Sequence, residues 1–233
     1  MKIVTIHQPE HLSYLGFFHK VAMADTLVLL DNVRYEKNYF QNRNRINTQN
    51  GVQYITVPVT DTHGPIKDVR ICEGYFTHQC VKNVRSIEMA YGRTPFFQKY
   101  GDTFLSQYMC GHTESLSTYN EVLLKTILRF LEIDVEIVYA SELGVTGAKT
   151  DLLVDICHKT GADKYISGKS GKDYLELGKF DIPVEFQQFA HPCYTQWGKT
   201  EFEPYMSVID ALFNVGSDIM QIIKAANNGK KKQ

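Results

Sequence analysis

Four polar clusters in this 233-residue chain have the residue types and spacing to do chemistry. The first is His7-Gln8-Pro9-Glu10-His11, directly after the strand-like run Lys2 to Ile6. A neutral imidazole at His7 can take or give a proton near pH 7, with Gln8 and His11 beside it as ligand contacts. Capping the turn is the other use of such a histidine. The second cluster centres on Asp31, which follows Leu27-Val28-Leu29-Leu30 and has the charge to orient an amine or act as base. An Asx turn at the exit of a strand would use the same carboxylate. The third is Gln41-Asn42-Arg43-Asn44-Arg45, preceded by Tyr35 and Lys37. Planar guanidinium forks next to amides suit a diphosphate and sugar hydroxyls. If this segment is extended, Asn42 and Asn44 face one side and Arg43 and Arg45 the other. One pair is then expected to bind while the other braces the chain. The fourth is Gly168-Lys169-Ser170-Gly171-Lys172, whose backbone N–H groups, with Lys169 and Ser170, could cradle an anion. Its spacing is not that of a P-loop.

His191-Pro192-Cys193-Tyr194 adds a further polar group. His191 is expected to line the site and Cys193 to be inert, since neighbours this close rarely align as nucleophile and base. Tyr194 and Trp197 could pack a base or sugar ring, although core packing is the commoner fate of such residues. The cysteines, Cys72, Cys80, Cys110, Cys157 and Cys193, are odd in number and form no CxxC pair. They read as free thiols, so neither a disulfide frame nor a metal site is expected.

These groups need a scaffold that gathers them. Strands are expected at Lys2–Ile6, Thr26–Leu30, Asp134–Tyr139, Lys164–Ser167 and Val184–Phe186, with helices at Leu15–Ala24, from Thr150 to near Gly161, and at Met206–Phe213. A further strand pair is plausible at Gln53–Val59 and Ile66–Ile71. From Thr77 to Leu131 the apolar residues recur at helical spacing. The alternation implies an α/β protein, a mostly parallel Rossmann-like open sheet with a helical insert in the middle third. The expected organisation is a single α/β domain over 1–233, with 76–132 as the helical elaboration and 227–233 as a flexible basic tail. In such sheets ligands bind beyond the carboxyl ends of the strands, where all four clusters fall.

Apolar residues make up 43% and charged residues 22%, with a net charge of -1. No basic field is present to attract nucleic acid. No apolar run is long enough to insert in a membrane, and the start does not read as a secretory signal. A cytoplasmic protein is expected.

Ile6-His7-Gln8-Pro9, Leu15-Gly16-Phe17-Phe18 with Lys20, Leu30-Asp31, Gln41 to Ile46, Tyr165-Ile166-Ser167-Gly168, His191-Pro192 and Ser207-Val208-Ile209-Asp210 form a set of separate motifs along the chain. Together they resemble the WbqC-like family of bacterial proteins, found mostly in gene clusters for surface polysaccharides. Glu10, His11, Ser13 and Tyr14 depart from the residues more usual in that family. The resemblance implies an enzyme of O-antigen biosynthesis acting on a nucleotide-linked deoxyamino sugar. N-acyl or aminoacyl transfer to the sugar amine is the favoured reaction, with His7 and Asp31 catalytic. No intrinsic cofactor is expected. The acyl donor would be a carrier thioester, with an acyl carrier protein as partner, or an activated amino acid, and a homodimer is a further expected partnership. Two alternatives stay open: a nucleotidyltransferase-like enzyme, although the His7 to His11 spacing lacks the usual glycine, and a non-catalytic sugar-nucleotide-binding module.

Overall fold

A computed structural model describes residues 1–110 and 113–228. The chain begins with β1 (Ile3–His7), α1 (Leu15–Val21) and β2 (Thr26–Leu29), followed by the hairpin β3 (Arg43–Thr48) and β4 (Gly51–Thr56) and the short pair β5 (Val59–Thr60) and β6 (Arg70–Ile71). Three helices follow: α2 (Gln79–Tyr91), α3 (Phe97–Met109) and α4 (Leu116–Phe130). The last third holds β7 (Glu136–Tyr139), α5 (Thr150–Thr160), β8 (Lys164–Ser167), β9 (Val184–Phe186), α6 (Val208–Val215) and α7 (Ile219–Asn228).

Five strands form one wholly parallel sheet in the order β7-β2-β1-β8-β9. This is the Rossmann order, in which the chain builds outward from β1 on one side and then crosses back to build on the other. The switch point lies between β1 and β8. Because side chains alternate across a strand, the sheet has two apolar faces. Val4, Ile6 and Val28 pack against Leu152, Leu153 and Ile156 of α5. Leu27 and Leu29 pack with Phe17, Phe18 and Val21 of α1 and with the helical insert. The α5 helix ends where the sequence said it should. Gly161 takes a left-handed conformation (φ 64), and the N–H groups of Gly161 and Ala162 bond back to His158 and Cys157 carbonyls, a Schellman closure.

The insert between β2 and β7 is more than helical. Gln41 to Arg45 is not an open loop, since Arg43–Thr48 pairs antiparallel with Gly51–Thr56. The strand pair expected between Gln53–Val59 and Ile66–Ile71 shrinks to Val59-Thr60 against Arg70-Ile71. The first helix stops at Val21, short of Ala24. All five cysteines are free thiols. No helix among the described residues is long and apolar enough to cross a membrane. The basic tail Lys230-Lys231-Lys232 lies outside the described residues.

Candidate functional site

At the switch point the carboxyl ends of β1 and β8 diverge and a two-lobed cleft opens, as the doubly wound topology dictates. One lobe has a volume of about 310 Å³ and the other about 720 Å³. They share a wall made by His7, Glu10, Lys20, Tyr39, Gly168 and Ser170. His7 is the last residue of β1, and Gly168 directly follows β8, so the sheet itself sets the two sides of that wall.

The wall holds a chain of three ionisable groups. Lys20 stands on the buried side of α1 with Gly16, Phe17 and Val21. Its ammonium donates to Ile6 O at 3.0 Å and to His7 Nδ1 at 3.1 Å. A protonated lysine can only donate, so the ring proton of a neutral His7 resides on Nε2. Glu10 Oε1 lies 3.2 Å from that nitrogen, but off the direction of a hydrogen bond, and Nε2 is left buried without a partner. Burial lowers the Lys20 pKa to about 8, with Glu10 opposing the shift. His7 is lowered by burial first and by Lys20 second, which keeps the ring neutral near pH 7. Burial raises Glu10, but its contacts with His7, Ser13 and Lys20 outweigh burial and leave it below the usual carboxylate value. The site therefore presents a carboxylate and an imidazole N–H side by side, backed by a lysine.

The larger lobe is aromatic and basic. Tyr14, Phe17, Phe40, Phe189, His191 and Tyr205 contribute rings, and Arg45, Lys169 and Lys172 contribute charge. Tyr14 lies so close over α1 that a β-carbon on Gly16 would meet its hydroxyl at 2.4 Å; only glycine lets this ring lean into the lobe. Arg45 donates through one Nη to Tyr205 O at 2.8 Å, while its Nε is buried without a partner. Tyr205 itself has φ 60, a conformation costly for a bulky residue and often stored at ligand sites. The smaller lobe lies against the other face of the sheet. It is lined by Leu30, Val33, Leu152, Leu153 and Tyr165, with Glu36, Lys149 and Tyr174 exposed among its lining residues.

Of the residues singled out from the sequence, His7, Gln8, Asn44, Lys169, Ser170 and His191 line this cleft. Asp31 does not. Its carboxylate accepts from Ser141 N at 2.9 Å and Ser141 Oγ at 2.6 Å, tying the end of β2 to the end of β7, so it serves as a strand-end brace. His11 is wholly buried: Nδ1 donates to Asn120 Oδ1 at 3.1 Å, and Nε2 accepts from Tyr108 at 3.2 Å. Tyr35 is buried in the core and Lys37 is exposed, and neither lines the cleft. Asn42 donates to Val57 O at 2.8 Å, and Asn44 donates to His11 O and Leu12 O at 3.1 and 2.8 Å. Arg43 is held by the Asn38 carbonyl and lies 4.6 Å over the Tyr54 ring. The extended geometry thus sorts the amides inward as braces, and the arginine that reaches the cleft is Arg45 rather than Arg43. His191 has both nitrogens engaged, Nδ1 donating to Pro192 O at 2.8 Å and Nε2 accepting from Tyr205 N at 3.1 Å. It offers a ring face only. Trp197 is exposed away from the cleft, and Tyr194 donates to Asp210 at 2.7 Å.

Lys20 and Glu10 were not assigned roles from the sequence, and Arg45 was weighed only as a pair with Arg43. Lys20 carried a readable signal, because a lysine three residues after Phe17 and one before Val21 falls on the apolar stripe of its helix. Among the described residues, no group of three or more histidines, cysteines or carboxylates is placed to hold a metal ion.

No solved structure matches this chain. The uncharacterized protein Rv1507c of Mycobacterium tuberculosis is similar, 31% identical over 226 residues that cover 94% of this chain and 96% of that protein. The model of the WbqC-like protein family matches residues 8–222, which spans α1, the insert, the rim after β8 and the aromatic wall of the larger lobe. With its cleft built almost wholly from the matched segment, this chain belongs to the WbqC-like protein family.

Proposed function

We propose that the protein is a transferase that moves an acyl group onto the amine of a nucleotide-linked deoxyamino sugar during surface-polysaccharide assembly. The pathway rests on the family resemblance. The reaction rests on one observation: two buried donors of the same cleft complete no well-directed hydrogen bond, Arg45 Nε and His7 Nε2, the latter with only the off-line Glu10 carboxylate at 3.2 Å. Buried polar atoms are almost always paired, so two orphans beside one cavity argue for a ligand that supplies acceptors. Arg45, Lys169 and Lys172 suit a diphosphate, and the rings of Tyr14, Phe189 and Tyr205 suit a base or sugar face.

In this reading the sugar ammonium docks on Glu10, which takes its proton. The free amine attacks the acyl carbon; the C–N bond forms, and the bond from carbon to the donor's sulfur or oxygen breaks. His7 Nε2 hydrogen-bonds the developing oxyanion and then protonates the departing atom. Glu10 then returns the proton it took to Nε2, 3.2 Å away, while Lys20 stays protonated against Nδ1 and the second amine proton leaves to solvent. Atoms and charge balance with one proton released per turnover, and Asp31 has no part in it.

The test is a pair of measurements on the purified protein. Thermal shift against thymidine- and uridine-diphosphate amino sugars and against nucleoside triphosphates identifies the class of ligand bound. Acyl transfer is then followed for wild type, Glu10→Gln and His7→Asn. Turnover is expected to fall at least about 100-fold in each variant, with sugar-nucleotide affinity within about threefold. Affinity lost in step with turnover would favour a binding module. Stabilisation by triphosphates with pyrophosphate release would replace acyl transfer with nucleotidyl transfer.

A further inference from the structure

The two lobes differ in kind. The larger one is ringed by aromatic and cationic groups, whereas the smaller has an aliphatic wall of Leu30, Val33, Leu152 and Leu153. Leu152 and Leu153 belong to the apolar core between α5 and the sheet. Away from the shared wall its charged groups, Glu36 and Lys149, are exposed. Lys149 has φ 53 and immediately precedes α5, so an energetically costly backbone sets its position beside this lobe. The two lobes meet at the wall that holds His7, Glu10 and Lys20, the arrangement that a reaction between two substrates requires.

We propose that the smaller lobe is the acyl pocket, and that it takes an uncharged aliphatic acyl group presented as a thioester. This rests on the transferase reading above and decides between its two classes of donor. A volume of about 310 Å³ accommodates on the order of ten non-hydrogen atoms at the ~30 Å³ a water molecule occupies in the liquid. That is room for a short alkyl chain with its carbonyl at the shared wall. An aminoacyl group brings an ammonium that the aliphatic wall cannot pair, and burying an unpaired charge is costly. Of the two carboxylates that line the lobe, Glu10 is already committed to the sugar amine, and Glu36 is exposed to solvent rather than set in the aliphatic wall. Lys149 offers a cation to an anionic carrier arm outside the lobe.

The probes are S-acetyl-, S-hexanoyl- and S-leucyl-N-acetylcysteamine, with the sugar nucleotide found by thermal shift as acceptor. Wild type is expected to prefer the hexanoyl over the leucyl donor by at least tenfold in kcat/KM. Val33→Phe, which fills the lobe from its half-buried side, is expected to lower the ratio of hexanoyl to acetyl kcat/KM by at least tenfold. Leu153→Ala enlarges the lobe and is expected to move that ratio the other way, which keeps the test open if Val33→Phe folds poorly. Equal losses for all three donors, or a leucyl preference, would overturn the pocket assignment while leaving transfer intact. If no donor supports transfer, calorimetric titration of the hexanoyl thioester separates the two failures. Binding that Val33→Phe weakens at least tenfold keeps the pocket and removes the reaction; no binding removes the pocket.

Discussion

The chemistry of the cleft depends on which side of one imidazole carries the proton. Lys20 donates to Nδ1, so Nε2 of a neutral His7 is a donor, and the carboxylate beside it is Glu10. This arrangement predicts a pH profile. In the proposed reaction Lys20 must be protonated to hold that tautomer, and burial lowers its pKa to about 8. In kcat/KM an alkaline limb is expected near pH 8, with activity falling as pH rises. Lys20→Arg, which stays charged, should move that limb up by more than one unit even if the maximal rate drops. A limb unmoved by this change would assign it to another group. At the same scale, the sequence paired His7 with Asp31, and the structure places only His7 in the cleft. His7 and Gln8 were legible because they directly follow an apolar strand. Asp31 sits in an equivalent place after β2, and there a serine hydroxyl from the end of β7 satisfies it. Long-range pairing of this kind is invisible to spacing.

At the scale of elements, the parallel strands and α5 were legible from short apolar runs and from Gly161, which both mark boundaries. The β3–β4 hairpin was not. Its inward side buries Ile46 and Ile55, but it opens with Asn42, just ahead of β3, and Asn44, which replace apolar contacts with hydrogen bonds to carbonyls of Val57, His11 and Leu12. A strand that buries amides reads as a loop to any pattern built on hydrophobicity. The same bonds make a prediction. Asn44→Ala strands two buried carbonyls and should cost about 1–3 kcal/mol by urea unfolding. It should also loosen the turn that carries Glu10, so kcat should fall beyond what stability alone explains. Gly16→Ala tests the neighbouring element. The added methyl must displace the Tyr14 ring, and sugar-nucleotide affinity should fall while the circular-dichroism spectrum stays unchanged.

For the whole molecule, His11 links the first loop to the insert. Buried among Asn120, Tyr108 and the stacked Tyr119 ring, it has its pKa lowered by burial from 6.5 to about 4. The unfolded chain takes up the proton first as pH falls, so this contribution is complete above pH 6.5 and shrinks between 6.5 and 4. By pH 5 the loss from this residue alone is on the order of 2 kcal/mol. Urea midpoints at pH 7 and pH 5 should show it, and His11→Asn should flatten the difference. If that variant keeps the wild-type slope, the ring is not held neutral.

Residues 30–135 separate β2 from β7, although the two strands lie side by side in register. A ribosome therefore releases the outer edge of β2, its backbone N–H and C=O groups unpaired, long before the strand that must cover it exists. Pairing so distant along the chain is slow to form because loop closure precedes any gain from contact. The nascent chain should then be prone to aggregate and dependent on chaperones until Tyr139 has emerged. Fragments ending before Glu136 are expected to stay insoluble when expressed by themselves.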